Sequence, residues 1–341
     1  MSWGTVRGHD TQVAALRQAI GAGRFPHAFL LVGPPGIGKG LFARTLAQAL
    51  LCEKNLETAL EPCGHCPSCL QVVSETHPDV LRVRKPEDRQ ELPIRVIRDL
   101  CMDLGLKPMR GTRRVAIVED ADDLSEEAAN AFLKTLEEPP PGSVLMLVGT
   151  TAESQIATIV SRCRVLRFEP LSHAELTSIL VDEGIANEID AAELADRSEG
   201  SVSRARGLAD PELGPFRRDL IQAMGASQGF DPLAIAKKLD TFAKEAGKEA
   251  GPKRERALIL IGELARLFRG VLWQTSGLEL PTTDSIDSEA IRNLAGKLEP
   301  EDVFLLADRC LLAASQIEKN AGPGLVFESL THDLARVINA R

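Results

Sequence analysis

The stretch that decides the fold is Gly33-Pro-Pro-Gly-Ile-Gly-Lys39-Gly40, together with the apolar run Ala28-Phe-Leu-Leu-Val32 before it. It fits the pattern G-x-x-x-x-G-K-[S/T] except at its last position, and that pattern builds a turn whose backbone N–H groups hold phosphates. The apolar run predicts a buried strand and Leu41 to Leu51 predicts a helix, which is the context that the pattern requires. The residues that could contact a nucleotide are Gly33, Gly36, Gly38, Lys39 and Gly40. Because Gly40 stands where a hydroxyl would hold Mg²⁺, we expect the loop to bind a nucleotide but to hydrolyse it poorly.

Further apolar runs predict the rest of a sheet. Four short β-rich runs follow the loop, and helical stretches separate them. The runs are Asp79 to Val83, Val115 to Val118, Val144 to Val148 and Val165 to Phe168, and the main helices are Ile94 to Leu104 and Ser125 to Glu138. Strands that alternate with helices predict an α/β fold with a parallel sheet covered on both faces.

After Pro170 the pattern is helical to the end of the sequence. Ser172-His-Ala-Glu175 has the form of a capping box that opens a helix, and Leu278 to Ser288 is predicted to be a loop. We therefore predict three domains: a nucleotide-binding α/β domain over 1–170 with a cysteine-rich insertion at 52–69, a small helical domain over 171–211, and an all-helical domain over 212–341.

Composition argues against several classes of protein. The net charge of the 341 residues is −9, whereas autonomous binding of nucleic acid needs a basic face. Aromatic residues make up 4% with no tyrosine, so base-stacking surfaces are not expected. The first residues lack the apolar core of a signal peptide, and apolar runs fall short of the roughly 20 residues of a membrane span. A cytoplasmic protein is expected, with cysteines that are ligands or buried thiols rather than disulfides.

Four cysteines form the strongest metal signal. Cys52, Cys63, Cys66 and Cys69 give the spacing C-x10-C-x2-C-x2-C. Four thiolates can close a tetrahedral shell around zinc, which predicts a structural rather than a catalytic site. The alternative is four unrelated thiols in a loop rich in glycine and proline, and His65 could replace one ligand. Three isolated cysteines are predicted to be small buried residues, namely Cys101, Cys163 and Cys310.

An acidic pair follows the third predicted strand, in Val115-Ala-Ile-Val118-Glu119-Asp120. Phosphate-loop ATPases use two carboxylates at this place to hold Mg²⁺ and to position water, usually in the order Asp then Glu. Here the order is reversed, so Glu119 would take the metal position and Asp120 the base position. The alternative is that both are acidic caps before a turn.

Two more segments carry weak signals when each is taken alone. Ser125 can cap an amphipathic helix that ends at three prolines, beginning with Pro139. Ser161-Arg162-Cys163 precedes the last predicted strand, and a lone arginine is usually a solvated charge.

Taken together, these motifs resemble the clamp-loader branch of the AAA+ ATPases. The resemblance covers Val6 to Phe168 and rests on the His27-Ala28 step, the four-cysteine insertion, Ala131-Phe-Leu-Lys-Thr-Leu-Glu-Glu-Pro-Pro140 and Ser161-Arg162-Cys163. Later, Ile317-Glu-Lys-Asn320 resembles the approach to the family's last collar helix. The resemblance implies an AAA+ module followed by a helical lid and a helical collar that packs into a ring of subunits.

The resemblance also implies roles. Arg162 would be an arginine finger that acts in trans on ATP bound by a neighbouring gamma or tau subunit, and the four cysteines would bind zinc. The partners would be gamma/tau and delta subunits and, through the assembly, the sliding clamp and primed DNA in DNA replication. ATP or ADP could be bound by this chain without hydrolysis.

Three departures from the motor subunits of the family favour a non-motor subunit without ATPase or polymerase activity of its own. Gly40 lacks the hydroxyl and Glu119-Asp120 is reversed. A motor subunit places an arginine three residues after a glycine in its lid, and here that place is Ser203, with Arg204 one step further. The alternatives are a gamma/tau-like ATPase and a zinc-dependent module that binds nucleic acid.

Overall fold

The computed structural model describes residues 2–86, 89–226, 228–278 and 285–340. The chain divides into two compact units, Met1–Ala205 and Arg206–Arg341. The strands of the first unit are β1 (Ala28–Val32), β2 (Val80–Val83), β3 (Arg114–Val118), β4 (Ser143–Gly149) and β5 (Arg164–Arg167). Its helices are α1 (Asp10–Gly21), α2 (Lys39–Leu50), α3 (Pro67–Val73), α4 (Ile94–Leu104), α5 (Glu126–Glu137), α6 (Ala157–Val160), α7 (His173–Asp182) and α8 (Glu188–Arg197). Helix α9 (Val202–Leu208) contains the boundary between the units.

The five strands form one sheet in the order β2-β3-β4-β1-β5, and each neighbouring pair is parallel. Alternate residues of a strand point to opposite faces, so each strand supplies two cores. Phe29 and Leu31 of β1 join a core with α1 and α2, whereas Leu30 and Val32 join a core with α4 and α5. The predicted α/β class, with a parallel sheet covered on both faces, is confirmed, and it is the arrangement expected of an AAA+ module.

This topology determines where a site can form. In an open parallel sheet, the loops at the carboxyl ends of the strands create a crevice where the strand order reverses. Here β1 lies between β4 and β5, and β3 lies on the other side of β4, so the phosphate loop after β1 opens at the same edge of the sheet as the segments that follow β3 and β4. The candidate nucleotide-binding residues therefore lie at one edge of the sheet.

Helices follow the sheet, as predicted. Ser172 and Glu175 form the expected capping box at the start of α7, and α7 packs against α8. The boundary between compact units falls after Ala205, within the predicted helical domain of 171–211. A separate lid domain therefore stays a prediction.

The second unit is all-helical. Its helices are α10 (Leu213–Met224), α11 (Pro232–Lys244), α12 (Ala250–Thr275), α13 (Ser285–Ala295), α14 (Pro300–Glu318) and α15 (Pro323–Ile338). The loop predicted over Leu278 to Ser288 lies partly outside the described residues, and its end is wrong because α13 already begins at Ser285. Within the described parts of both units, the helices are too short or too polar to cross a membrane.

A buried ion cluster holds three helices of the second unit together. The Arg217 guanidinium of α10 pairs with Glu263 of α12 and Asp287 of α13, and all three side chains are at most 8% exposed. The sequence pattern does not predict this cluster, because its members are 46 and 70 residues from Arg217. Removal of one member would leave an uncompensated buried charge, which is strongly destabilising.

Candidate functional site

The phosphate loop has the backbone shape that its glycines permit. Gly36 and Gly38 have φ angles of 77° and 100°, in the left-handed region that favours glycine. The Gly33 N–H donates to the Thr150 carbonyl at 2.8 Å, which ties the start of the loop to the end of β4. Helix α2 begins at Lys39, so its N-terminus opens onto the loop and can attract an anion.

The Lys39 ammonium is hydrogen-bonded to carbonyl oxygens of the loop itself. Its Nζ donates to the carbonyl oxygens of Gly33 and Pro34, both at 2.6 Å. Burial lowers the pKa of Lys39 to about 8, although the charge of Asp122 opposes this shift. A phosphate at this site would therefore have to replace two carbonyl oxygens as the partner of the lysine.

The metal position of the site contains an ion pair. A Cβ placed on Gly40 would lie 3.7 Å from Oε1 of Glu119, so the carboxylate faces the place of the missing hydroxyl. The guanidinium of Arg82 binds both carboxylate oxygens, with Nε 2.8 Å from Oε1 and a terminal nitrogen 3.1 Å from Oε2. Nε of Arg84 lies 3.6 Å from Oε2. Glu119 thus lies where the sequence predicts it, but its charge is balanced by arginine.

Arg82 was not evident from the sequence as a member of this site. It lies on β2, and the parallel register of β2 and β3 pairs it with Ile117. Because alternate residues share a face, Ile117 and Glu119 point to the same side as Arg82. The pair of arginines in Arg82-Val-Arg84 could have indicated a partner for Glu119, but only if β2 were known to lie beside β3.

Asp120 is held in a left-handed turn with a φ angle of 53°. Its Oδ2 accepts a hydrogen bond from the backbone N–H of Lys85 at 3.3 Å, and burial raises the pKa of its carboxyl. The hydrogen bond connects Asp120 to the segment after β2.

Asp122 is a second residue that the sequence did not single out. Its carboxylate accepts hydrogen bonds from the Thr150 N–H at 2.6 Å and from the Gln155 amide at 2.7 Å. It also attracts the charge of Lys39. Asp122 therefore fixes the segment after β4 against the segment after β3, and it adds negative charge near the phosphate loop.

Serines of the helical segment contact the tip of the loop directly. Oγ of Ser201 donates to the Pro35 carbonyl at 3.0 Å, and the Val202 N–H donates to the Gly36 carbonyl at 2.9 Å. A Cβ on Gly36 would lie 2.8 Å from Cβ of Ser203, so Ser203 does lie beside the loop, as its position in the sequence predicts. The guanidinium of Arg204 instead pairs with Glu199 at 3.0 Å.

Arg162 lies at a different surface, just after α6. Its Nε lies 2.9 Å from Oε1 of Glu137 in the last turn of α5, and a terminal nitrogen donates to the Thr158 carbonyl at 3.0 Å. The side chain is 32% exposed and that of Glu137 is 50% exposed. The guanidinium is therefore accessible, and its partner is an acid of the segment Ala131 to Pro140.

The four cysteines converge on one point. The sulfur atoms of Cys52, Cys63, Cys66 and Cys69 all lie within 4.8 Å of one another, and those of Cys63 and Cys69 are 3.9 Å apart. Four sulfurs bound to zinc at about 2.3 Å in a tetrahedron are about 3.8 Å apart, so the donor set fits zinc. The His65 ring nitrogen Nδ1 instead contacts the Cys63 carbonyl at 2.8 Å.

Backbone N–H groups favour the thiolate form of Cys63, whereas burial raises the pKa of Cys69. The Cys66 N–H donates to the Cys63 sulfur at 3.3 Å, and the Cys69 N–H donates to the Cys66 sulfur at 3.4 Å. Burial opposes ionisation of Cys63, but hydrogen bonds from the His65 and Cys66 backbone lower its pKa to about 6. The Gln48 amide of α2 donates to the Cys69 carbonyl at 3.0 Å, which connects the cluster to the helix that begins at the phosphate loop.

Of the isolated cysteines, Cys310 is buried, whereas Cys101 and Cys163 are partly buried. Burial raises the pKa of Cys163 and of Cys310 to about 12. Both thiols are therefore protonated at neutral pH, in agreement with a packing role.

The sequence also matches known proteins. A family model described as "DNA polymerase III, delta subunit" matches residues 8–172. The DNA polymerase III subunit delta' of Pseudomonas aeruginosa is 40% identical over 154 residues, which cover 45% of this chain and 46% of that protein. The subunit delta' of Escherichia coli is 33% identical over 207 residues, which cover 60% of this chain and 61% of that protein. The subunit tau of Escherichia coli is 30% identical over 340 residues, which cover 92% of this chain and 50% of that protein.

The two kinds of relative differ in how they match. The chain spans about half the length of tau and of the Pseudomonas aeruginosa delta' subunit. The delta' subunits are more similar in sequence over a shorter part of the chain, whereas the tau match extends over almost all of it.

Proposed function

Because the chain belongs to the family of DNA polymerase III clamp-loader subunits, we propose that it is a non-motor subunit of delta-prime type. In this role it supports a neighbouring gamma or tau subunit, which hydrolyses ATP while the sliding clamp is loaded on primed DNA. The assembly contains gamma/tau and delta subunits, and the helical second unit serves as the collar that holds the subunits together.

The observation that carries this proposal is the state of Glu119. In a phosphate-loop ATPase the metal ion bridges the β- and γ-phosphates and must be held by the loop hydroxyl and an acid. Gly40 offers no hydroxyl, and both carboxylate oxygens of Glu119 are bound to Arg82. The residues present at this position therefore do not fit Mg²⁺.

One further contact supports the absence of turnover by this chain. Ser203 lies beside the loop where a motor subunit of the family has an arginine. A serine hydroxyl cannot balance the charge of a phosphate as a guanidinium does.

Arg162 is the residue that we propose to act in catalysis, on ATP bound by the neighbouring subunit. A planar guanidinium presents two parallel N–H groups to phosphate oxygens, and an arginine finger stabilises charge that develops in the transition state. Its side chain is 32% exposed and is held by Glu137, which is 50% exposed, and this accessibility supports the role. The Arg162 guanidinium must break its ion pair with Glu137 before it can contact a phosphate.

The cysteine cluster is proposed to bind structural zinc. Four sulfur ligands leave no open position for water or substrate, so the ion would stabilise the segment between α2 and α3. Cys66 is also the N-cap of α3, and its sulfur accepts from the Cys69 N–H, so the metal would fix the start of that helix.

The second candidate function is a gamma/tau-like ATPase, which the tau alignment over 92% of this chain favours. The purified full chain, incubated with Mg-ATP, separates the two. We expect turnover that is indistinguishable from that of the Lys39→Ala variant. Steady hydrolysis that Lys39→Ala abolishes would overturn the non-motor role.

A further inference from the structure

A cation is paired with the acid that faces Gly40 in the phosphate loop. Oε1 of Glu119 is the atom that faces the place of the missing Gly40 hydroxyl, at 3.7 Å from a Cβ placed there. Nε of Arg82 binds the same oxygen at 2.8 Å. The positive charge therefore lies against the acid that faces the loop, next to the position at which a phosphate-loop ATPase holds its magnesium ion.

The guanidinium is fixed from two sides. Arg82 also pairs with Glu75, just after α3, and Arg44 of α2 lies 3.2 Å from the same carboxylate. The side chain of Arg82 is only 19% exposed. Since a partly buried, bidentate ion pair holds its geometry better than an exposed one, Arg82 is preorganised at this position.

The local charge is the same as in a metal-loaded loop. A magnesium ion with one carboxylate carries one net positive charge. Arg82, Arg84 and Arg44 together with Glu119 and Glu75 also carry one net positive charge, with Nε of Arg84 at 3.6 Å from the Glu119 carboxylate. A nucleoside diphosphate bound by the loop amides and Lys39 would thus meet the charge that it ordinarily meets as its magnesium complex.

We propose that Arg82 takes the electrostatic place of Mg²⁺ in this loop, so that the chain binds nucleoside diphosphates and triphosphates independently of magnesium. An arginine lacks the coordination sphere with which a metal ion bridges two phosphates and orders water, so the bound nucleotide is held without being cleaved. The nucleotide then acts as a structural ligand.

The test is equilibrium binding of ADP to the full chain, by calorimetry, in excess EDTA and in millimolar magnesium. We expect the two dissociation constants of the wild type to agree within about twofold, because the cation is already present. Arg82→Gln should weaken binding in EDTA and restore a dependence on magnesium of about tenfold or more, because Glu119 is then free to attract the ion. Gly40→Ser added to this variant should strengthen that dependence, since a serine side chain meets only an ordinary contact there.

The matched control is Arg95→Gln, which removes the same charge from a side chain that is 90% exposed on α4. This variant should bind ADP as the wild type does under both conditions. Magnesium-dependent binding by the wild type would overturn the proposal, and so would undetectable binding at millimolar ADP in both buffers. Neither result bears on ATP hydrolysis. The proposal on Arg82 is judged by ADP binding and the non-motor role by ATP turnover, so the failure of one is distinguishable from the failure of the other.

Discussion

Replacing Arg162 with alanine should reduce ATP hydrolysis by the assembled clamp loader while leaving this chain folded. The fold should tolerate the change because the Arg162 side chain is 32% exposed and its partner Glu137 is 50% exposed. An ion pair of this exposure contributes at most about 1 kcal/mol to stability. The free energy of unfolding of the purified variant, measured in urea, should therefore stay within about 1 kcal/mol of the wild type.

The effect on rate should be much larger than the effect on stability. Loss of an arginine finger costs roughly 10³–10⁵ in the rate of the site that it serves. Release of the arginine from Glu137 costs at most about 1 kcal/mol, which corresponds to about a fivefold effect. We therefore expect Glu137→Gln to change the rate by no more than about fivefold, so that the two variants separate the phosphate contact from the ion pair.

The assay is single-turnover ATP hydrolysis by a loader reconstituted from this chain with gamma/tau and delta subunits. Arg167→Ala is the matched control, because Arg167 is also an exposed arginine, five residues away at the end of β5. An Arg162→Ala loader that hydrolyses ATP at every site as fast as the Arg167→Ala loader would refute the role in trans.

Two further predictions concern the purified chain. We expect about one bound zinc ion per chain. The Trp3 indole donates to the carbonyl of Leu60, which lies within the cysteine-rich segment. Removal of the zinc should therefore shift the fluorescence of Trp3 to longer wavelength, measured in a Trp273→Phe background. Unchanged emission after the zinc has been chelated would contradict this. For Lys39, burial lowers the pKa from 10.5 to about 8 in the folded state, so between these pH values the unfolded chain binds the extra proton and stability rises with pH. The wild type should therefore gain free energy of unfolding relative to Lys39→Met from pH 8 to pH 10 in urea titrations, and a constant difference would speak against the shift.

Local patterns predicted the elements of the first unit well, because apolar runs bounded by polar residues define buried strands. Strand β1 has the predicted bounds Ala28–Val32, and helix α4 has the predicted bounds Ile94–Leu104. The cysteine spacing likewise predicted which sulfurs converge. These features depend on residues close in sequence or on spacing that itself implies a shape.

Pairings between distant segments could not be predicted in this way. Glu119 was expected at the metal position, but its partner Arg82 is 37 residues away and becomes its neighbour only because β2 lies beside β3. The sequence alone does not give the strand order, so the positive charge of Arg82 beside Glu119 could not be predicted. The role of Asp122 could not be predicted for a related reason, because its hydrogen-bond partners lie in the segment after β4.

Two glycines of the phosphate loop are required by contacts within the protein rather than by a bound phosphate. A Cβ on Gly33 would lie 2.4 Å from the backbone oxygen of Phe168, and one on Gly36 would lie 2.2 Å from Oγ of Ser201. A larger residue at either place would damage folding before it affected any ligand. A lineage that abandons ATP hydrolysis would thus keep these glycines while its hydroxyl and acidic positions change. Searches of genomes for glycine-rich loops would accordingly count such chains among the ATPases, and only the changed positions would tell them apart.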